Sequence, residues 1–392
     1  MHTHASPIVS EFMHRNLPLI HAARRQLFCA AVNAVMAGCL LSLSQLARAL
    51  MGHGRYHTAL NRVDRLIGNQ RIVQETEAVA AALLARWCGS GQPLVIAVDW
   101  SEVAPGGAFV ELRAAITQLG MGRGVTIYQR VYPQSKLGNA KAERRLLEQL
   151  HQWVPRDVQV IITSDAGFRR PWFAAIEALG WAWIGRIRAG VHVSRDGIQW
   201  DPANAWFAKA TRKASRWSDC RLARKFGFRC DIVLYRRRGV GRKRYGRIGH
   251  GSNSKARGEA RRSAREPWLL THSPQLRTWR PDEIVAVYGR RMQIEENFRD
   301  TKSATLGMGL ELSQSRSALR LQALLLIGTL AAFLLWHIGQ LAEAEGLHRR
   351  FKATTREARE LSIISLAKRL CSLAQLPLTR SAMDALHERL GL

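Results

Sequence analysis

The stretch Leu94-Val-Ile-Ala-Val-Asp99 decides the fold class of this chain of 392 residues. It is a short apolar run that ends in an aspartate, a pattern typical of a buried β-strand. A second run of this kind extends from Val158 to Asp165. Around these two runs, the pattern predicts strands at 109–116, 124–131 and 181–188 and helices at 141–153 and 171–179. The order β-β-β-α-β-α-β predicts an α/β protein, a mixed sheet with helices on its faces.

The residues before this sheet read as helical. Helices are predicted at 25–37, at 44–50 with Ser42 or Ser44 as N-cap, and at 56–67. The break Gly52-His-Gly54 and the basic side of helix 56–67, which carries Arg62 and Arg65, are typical of a helix-turn-helix-like DNA-binding unit. A small helical bundle with a solvated basic face is the alternative interpretation.

The charge of the chain indicates its partner. Its 59 Lys and Arg against 30 Asp and Glu give a formal net charge of +29. A folded protein this basic usually binds a polyanion, most often nucleic acid. Residues 206–265 hold 20 of the basic residues and only three acidic ones, and Arg237, Arg242 and Lys243 lie in a predicted basic hairpin or loop at 236–244. A strand is predicted at 230–235, and interleaved aromatic residues favour a partly folded insertion over a disordered linker.

The stretch from Tyr288 to Lys302 predicts a helix, which Asp282 is expected to cap. At 100° per residue, Tyr288, Arg291, Glu295 and Lys302 share one face. One carboxylate between two cations and a phenol suits a site that holds a divalent metal beside a phosphodiester. An ordinary solvated helix face with an i, i+4 ion pair is the alternative.

Two aspartates, Asp99 and Asp165, are each expected at the C-terminal end of a strand. Neighbouring strands lie about 5 Å apart, so the two carboxylates could share one metal ion. With Glu295 from a helix on the sheet, they fit two Mg²⁺ ions about 3.5–4 Å apart. A strand-end cap or turn is the alternative for either aspartate alone. The chain has no evident nucleotide-binding glycine loop, so ATP is not implied.

Six cysteines without a C-x-x-C pair or zinc spacing predict reduced thiols in a cytosolic protein. The N-terminus shows no apolar signal core. Residues 321–341 contain no Asp, Glu, Lys or Arg, and their most apolar part, 323–336, is short for a membrane span. A buried core helix is therefore favoured over a membrane anchor.

The chain resembles the DDE transposases of bacterial insertion sequences, specifically the insertion-sequence-four family and its insertion-sequence-ten type. The family signature Y-x2-R-x3-E-x6-K falls on Tyr288, Arg291, Glu295 and Lys302 without a gap, and Val98–Ser101 and Ser164–Phe168 also match. The resemblance implies an RNase H-like core and a β-rich insertion.

The resemblance also assigns residues. It implies that Asp99, Asp165 and Glu295 form the catalytic, metal-binding triad; Glu296 lies about 100° away from the signature face. It implies that Trp268, near the end of the insertion, stacks on a base flipped out of the DNA. A core tryptophan at a strand start is the alternative for Trp268.

The function so implied is cut-and-paste DNA transposition. The enzyme would bind terminal inverted repeats and target double-stranded DNA as a homodimer in the bacterial cytoplasm, at the nucleoid, and not at a membrane. It would use Mg²⁺, with Mn²⁺ as a substitute, for strand cleavage, hairpin formation and strand transfer. A catalytically inactive or domesticated DNA-binding relative is one alternative, and a membrane-anchored protein is another.

The expected organisation has five parts. They are a helical DNA-binding domain (1–90), the first part of the catalytic core (91–190), the basic insertion (191–267), the second part of the core with the Glu-bearing helix (268–330), and a C-terminal helical region suited to dimerisation (331–392).

Overall fold

The computed structural model describes residues 5–392 except 17, 19, 89–90, 104, 119–121, 226, 238–265 and 374–375. The described residues form ten strands: β1 Leu94–Glu102, β2 Phe109–Ile116, β3 Val125–Pro133, β4 Val160–Ser164, β5 Ala182–Ile187, β6 His192–Ser194, β7 Asp201–Pro202, β8 Ser215–Leu222, β9 Phe228–Tyr235 and β10 Trp268–His272. All ten belong to one sheet, in the order β3-β2-β1-β4-β5-β10-β9-β8-β6-β7.

The first five strands form the RNase H-like core. Strand β2 pairs antiparallel with both β1 and β3, whereas β4 pairs parallel with β1 and β5 pairs parallel with β4. The order 3-2-1-4-5 and the α/β class agree with the expected fold. Strand β10 then pairs antiparallel with β5 and β9, so the strands of the insertion continue the same sheet.

Twelve helices are formed by the described residues. Five precede the sheet: α1 Ala5–Asn16, α2 Ala22–Met36, α3 Leu43–Leu50, α4 Tyr56–Ile67 and α5 Ile72–Ala85. The others are α6 Ala140–Trp153, α7 Arg170–Ala178, α8 Pro281–Arg290, α9 Met292–Lys302, α10 Ala318–Ala344, α11 Ile363–Cys371 and α12 Arg380–Leu390. Of the two predicted caps for α3, Ser42 is the residue used, because its hydroxyl accepts a hydrogen bond from the Gln45 N–H (3.3 Å).

The helix predicted through Tyr288 to Lys302 is divided at Arg291. There the Arg291 N–H bonds to the Tyr288 carbonyl (3.0 Å) and the Ile294 N–H to the Arg291 carbonyl (3.1 Å). These i→i−3 bonds tighten the turn and separate α8 from α9. The prediction of Asp282 as cap is wrong. The N-cap is Arg280, because Pro281 opens the helix and the Glu283 carboxylate accepts from the Arg280 N–H (2.7 Å).

Two further predictions need correction. Asp99 does not end its strand, because antiparallel pairing with β2 carries β1 on to Glu102. In the insertion only a strand at 230–235 was predicted, whereas β6, β7 and β8 are also present. The predicted basic residues Arg242 and Lys243 lie outside the described residues.

Helix α10 is the apolar helix for which a buried core position was predicted. It is the one helix among the described residues that is long and apolar enough to span a membrane, and 72% of its most apolar window is buried within the protein. The Gln322 side chain also accepts from the Val131 N–H (3.0 Å) and donates to the Gln129 carbonyl (3.0 Å) of edge strand β3. Helix α10 therefore covers the edge of the sheet that β3 forms.

Candidate active site

Strand register brings the two predicted aspartates together. Val98 of β1 lies opposite Ser164 of β4 in parallel register. The next residues along the two chains are Asp99 and Asp165, so they are neighbours on adjacent strands. The Asp99 Oδ1 accepts a hydrogen bond from the Trp100 N–H (2.9 Å), and the Asp165 Oδ1 accepts from the Gly167 N–H (2.8 Å). Each carboxylate is thus anchored by local backbone.

Helix α9 brings the third acid, Glu295, over the same part of the sheet. Ile294 and Phe298 of this helix pack on Ala97 and Ala115 of β1 and β2. The connection to Asp99 runs through Arg291. Its Nη1 donates to Asp99 Oδ2 (3.0 Å), and its Nη2 donates to Glu295 Oε1. The buried guanidinium of Arg291 therefore bridges two acids from different elements.

The electrostatics of Asp99 show how closely the acids are grouped. Burial raises the pKa of Asp99 to about 7; Arg291 opposes this rise, while the negative charges of Asp165 and Glu295 add to it. Burial lowers the pKa of Arg291, but the neighbouring Tyr288, Asp99 and Glu295 outweigh burial and leave that pKa raised. The site therefore gathers negative charge around one fixed cation.

The three carboxylates fit a divalent cation by the chemistry of the donor set. They offer hard oxygen ligands, and the raised pKa of Asp99 marks negative charge that a dication would offset. Across the described part of the chain, however, no three His, Cys, Asp or Glu side chains converge as a metal site. In the observed arrangement Asp99 and Glu295 share the Arg291 guanidinium instead.

Lys302 closes the other end of the site. Its ammonium donates to Ser101 Oγ (2.8 Å) and to the Glu102 carbonyl (3.2 Å), so it lies at the end of β1 beyond Asp99. Burial lowers the pKa of Lys302, and the negative charge of Glu111 is the largest effect that opposes this shift. The structure therefore places all four signature residues, Tyr288, Arg291, Glu295 and Lys302, in one region of the protein.

Glu296 has a different role from Glu295. Its carboxylate pairs with Arg299 of its own helix and with Arg123 (3.5 Å). Arg123 also binds Asp300. Glu296 is thus part of an ion-pair network that fastens α9 beside β3, whereas Glu295 is turned towards Asp99 through Arg291.

An aromatic group lies beside the acids. The Trp268 ring meets Tyr288 edge-on (centroids 5.0 Å apart, 79°) and Tyr235 at 6.3 Å. The Arg237 guanidinium lies 5.7 Å from the centre of the Trp268 ring. Trp268 is half-buried, and burial raises the pKa of Tyr288. The predicted Trp268 and Arg237 are therefore contiguous with the signature face.

The predicted basic residues of the N-terminal helices lie elsewhere. Arg62 and Arg65 are exposed on α4, whose opposite face buries Ala59, Val63 and Leu66. Helix α4 packs against α3 and α10, and its Asp64 pairs with Arg320 (2.8 Å). The basic face of this helix therefore points away from the protein core, so it is accessible, as DNA binding requires.

Sequence reasoning missed three charged residues of this site. Glu111 and Arg113 of β2 form a buried bidentate pair (2.6 and 3.1 Å), and the Arg113 guanidinium lies 4.5 Å from the centre of the Phe298 ring of α9. Arg186 lies on β5, on the far side of Asp165. The sequence signal for the Glu111–Arg113 pair was the i, i+2 spacing of two opposite charges, which places both side chains on the same face of a strand.

Two comparisons with known proteins found a match, and one did not. Residues 91–334 match the family model described as the transposase DDE domain. No curated protein matches the chain. Among solved structures, a chain of the cryo-EM structure of the piggyBac transposase synaptic complex with hairpin DNA is similar, with a TM-score of 0.42 and 10% sequence identity over 97% of this chain and 80% of that one.

Proposed function

The chain belongs to the DDE transposase family, and from this premise we propose that it is a cut-and-paste DNA transposase of the insertion-sequence-four family and insertion-sequence-ten type. Transposases of this family generally use divalent metal ions. We propose Asp99, Asp165 and Glu295 as its catalytic triad. The observation that carries this proposal is the arrangement of two strand aspartates and one helix glutamate around Arg291.

The three acids would hold two Mg²⁺ ions, with Mn²⁺ as a substitute. The bound ions would supply Lewis acidity to activate a water or 3′-hydroxyl and to stabilise the leaving oxygen. The chain's own residues would place the scissile phosphate. Lys302, fixed by Ser101 and the Glu102 carbonyl, and Arg291, beside Asp99, present cations to a phosphodiester on either side of the acids.

The aromatic group supports a hairpin mechanism. In this proposal a base leaves the duplex at the transposon end and stacks on Trp268, whose ring is half-exposed beside Tyr288. Tyr288, Arg291 and Lys302 would hold the phosphates near that base. Hairpin formation, reopening and joining to target DNA would then use the same acids in successive displacements at phosphorus.

The DNA would extend beyond the acids over two basic regions. Arg62 and Arg65 on α4 would contact the terminal inverted repeats, and Arg237 with the undescribed Arg242 and Lys243 would contact the backbone next to the insertion. We propose that two copies act together on paired ends. The proposed location is the bacterial cytoplasm, at the nucleoid, without a membrane.

Substitution of the acids tests this function. We expect Asp99→Asn, Asp165→Asn and Glu295→Gln each to abolish metal-dependent cleavage of an end-labelled inverted repeat, because each removes a carboxylate ligand. Binding should persist, because the net charge of +29 hardly changes. Glu296→Gln is the matched control and should still cut. Cleavage by Glu295→Gln with an inactive Glu296→Gln would reverse the assignment, and a wild type that binds but never cuts would favour the inactive DNA-binding alternative.

A further inference from the structure

The catalytic aspartates lie in a row of charges that crosses four strands. Asp99 of β1 is paired with Arg113 of β2, and Ser164 of β4 with Gly185 of β5. The residue after Gly185 is Arg186, which therefore lies beside Asp165. Paired residues on neighbouring strands point to the same face of a sheet. The row thus reads Arg113, Asp99, Asp165, Arg186, with an arginine at each end.

The two arginines differ in their partners. Arg113 is fully buried and donates two hydrogen bonds to the Glu111 carboxylate (2.6 and 3.1 Å). Only 12% of the Arg186 side chain is exposed, and its Nε and Nη2 atoms are buried without a hydrogen-bond partner among the residues that the structure describes. The guanidinium at one end of the row is hydrogen-bonded to a carboxylate, and the one at the other end is not.

The carboxylate nearest to Arg186 does not satisfy it. Glu266 Oε2 lies 3.7 Å from Arg186 Nη2, which is too long for a hydrogen bond, and this oxygen also has no hydrogen-bond partner within the described chain. Glu266 stands two residues before Trp268, at the entry to β10. Tyr288, Arg188 and Arg291 also interact electrostatically with Arg186, so its guanidinium lies near two of the signature residues.

We propose that Arg186 binds a non-bridging phosphate oxygen of the DNA strand held at the active site, a role that rests on the proposed function. Buried donors that lack acceptors are costly, and a phosphate beside Asp165 would supply acceptors for both. The planar fork of a guanidinium matches two phosphate oxygens. Glu266 is the carboxylate that competes with this phosphate for Arg186.

The proposal predicts opposite effects for the two partners. Arg186→Gln should weaken binding of an inverted-repeat duplex about tenfold, the factor of one charge-assisted contact, and should reduce the salt slope by about one. Glu266→Gln should strengthen binding or leave it unchanged, because it removes a negative charge next to the phosphate. Arg156→Gln is the matched control: it removes an exposed arginine before the opposite end of β4 and should change affinity little.

Fluorescence anisotropy in EDTA over a salt series measures these affinities without cleavage. Duplexes that carry a single methylphosphonate locate the contact. At one position, the methylphosphonate should weaken DNA binding by the wild type and leave DNA binding by Arg186→Gln unchanged. If melting shows Arg186→Gln to be unfolded, Arg186→Lys, which keeps the charge but loses the fork, should keep the salt slope and lose part of the affinity. Equal affinity of Arg186→Gln and wild type, or equal losses in Arg186→Gln and Glu266→Gln, would reduce the pair to a structural ion pair. A wild type that does not bind the duplex would instead reject the proposed function.

Discussion

At the scale of single residues, Trp268 illustrates how one side chain can serve both packing and recognition. Its ring contacts Tyr288 and Tyr235 by their edges and adjoins the cluster around Val287 and Leu270. One part of the ring therefore belongs to the core, as the alternative interpretation held. The remaining exposed part lies beside Arg237 and the signature face, where a stacked base would meet it.

Substitution of Trp268 separates these two contributions. We expect Trp268→Ala to make the first nick at nearly the normal rate, because that step needs no extruded base. It should then slow hairpin formation about tenfold or more, since stacking contributes about 1–3 kcal/mol per base. Trp268→Phe should keep part of the hairpin yield. A denaturing gel resolves nick, hairpin and double-strand break. A folded Trp268→Ala protein with a normal hairpin yield would leave Trp268 with a packing role only.

The four signature residues could be predicted together because their spacing is local. Tyr288, Arg291, Glu295 and Lys302 lie on adjoining helical turns, so periodicity placed them on one face. No local spacing pattern marks Arg186, because an arginine near the end of an apolar strand is usually interpreted as the solvent-exposed end of that strand. Its position beside Asp165 depends on β4–β5 register, which no local pattern contains. The bridge from Arg291 to Asp99, across 192 positions, is invisible for the same reason.

At the scale of elements, helix α10 shows why an apolar helix of this length is retained in the core. It packs against α2, α5, β3 and α11, and its polar residues have specific tasks. Gln322 pairs with the backbone of β3, and Thr329 Oγ1 donates to Gln129 Oε1 (2.7 Å). His337 is buried beside Phe333 and Trp336, with ring centroids 4.7 Å away in each case. In hydrocarbon these polar groups would lack such partners.

Burial of His337 predicts a pH dependence of stability. Burial, followed by the charges of Arg389 and Arg86, lowers the pKa of His337 from 6.5 to about 3. Below pH 6.5 the unfolded chain therefore takes up a proton that the folded chain refuses, and stability falls as the pH falls towards 3. Between pH 6.5 and 4.5, we expect the free energy of unfolding to fall by about 2 kcal/mol less in His337→Met than in the wild type.

Urea unfolding at several pH values measures this difference. His14→Met, at an exposed position of α1, is the control and should follow wild type. His272, whose pKa burial lowers to about 4, remains in both variants and keeps part of the acid sensitivity. Parallel acid curves for His337→Met and wild type would contradict the assigned cause.

Elements that carry their own pattern were predicted well, and elements that need a partner were not. Strand β2 was predicted at its observed bounds because apolar residues occupy six of its eight positions. Strands β6 and β7 have only three and two residues. They form because β6 pairs with both β7 and β8. The division at Arg291 is created by two i→i−3 hydrogen bonds that the sequence pattern does not show.

At the scale of the whole molecule, the continuous sheet makes the insertion an extension of the catalytic core. Strand β10 joins β5 to β9, and Arg277 fastens the two parts by binding the buried Asp231 (2.8 and 3.0 Å) and Asp219 (2.9 Å). Arg216 of β8 also donates to the Arg277 carbonyl (2.6 Å). The described part of the insertion is therefore held in register with the acids, and its Arg237 lies over the ring of Trp268 beside them.

This charge distribution predicts a steep salt dependence of DNA binding. Each bound phosphate releases counterions, so affinity should fall about 10³-fold or more between 50 and 200 mM salt if six or more phosphates are bound.

Substituting glutamine at Arg237, Arg242, Lys243 and Arg244 should lower affinity for inverted-repeat and random DNA by similar factors, because phosphate binding carries no sequence information. Arg236 is left intact because it donates to the Phe207 and Ala210 carbonyls and so supports the fold. For every phosphate that a variant no longer neutralises, the slope of log affinity against log salt should become shallower by about 0.9. Anisotropy titrations over the salt series measure both slopes, with the melting temperature at each salt concentration as the control for folding. Affinity that stays flat while the protein remains folded would show that the net charge of +29 has another purpose than binding nucleic acid.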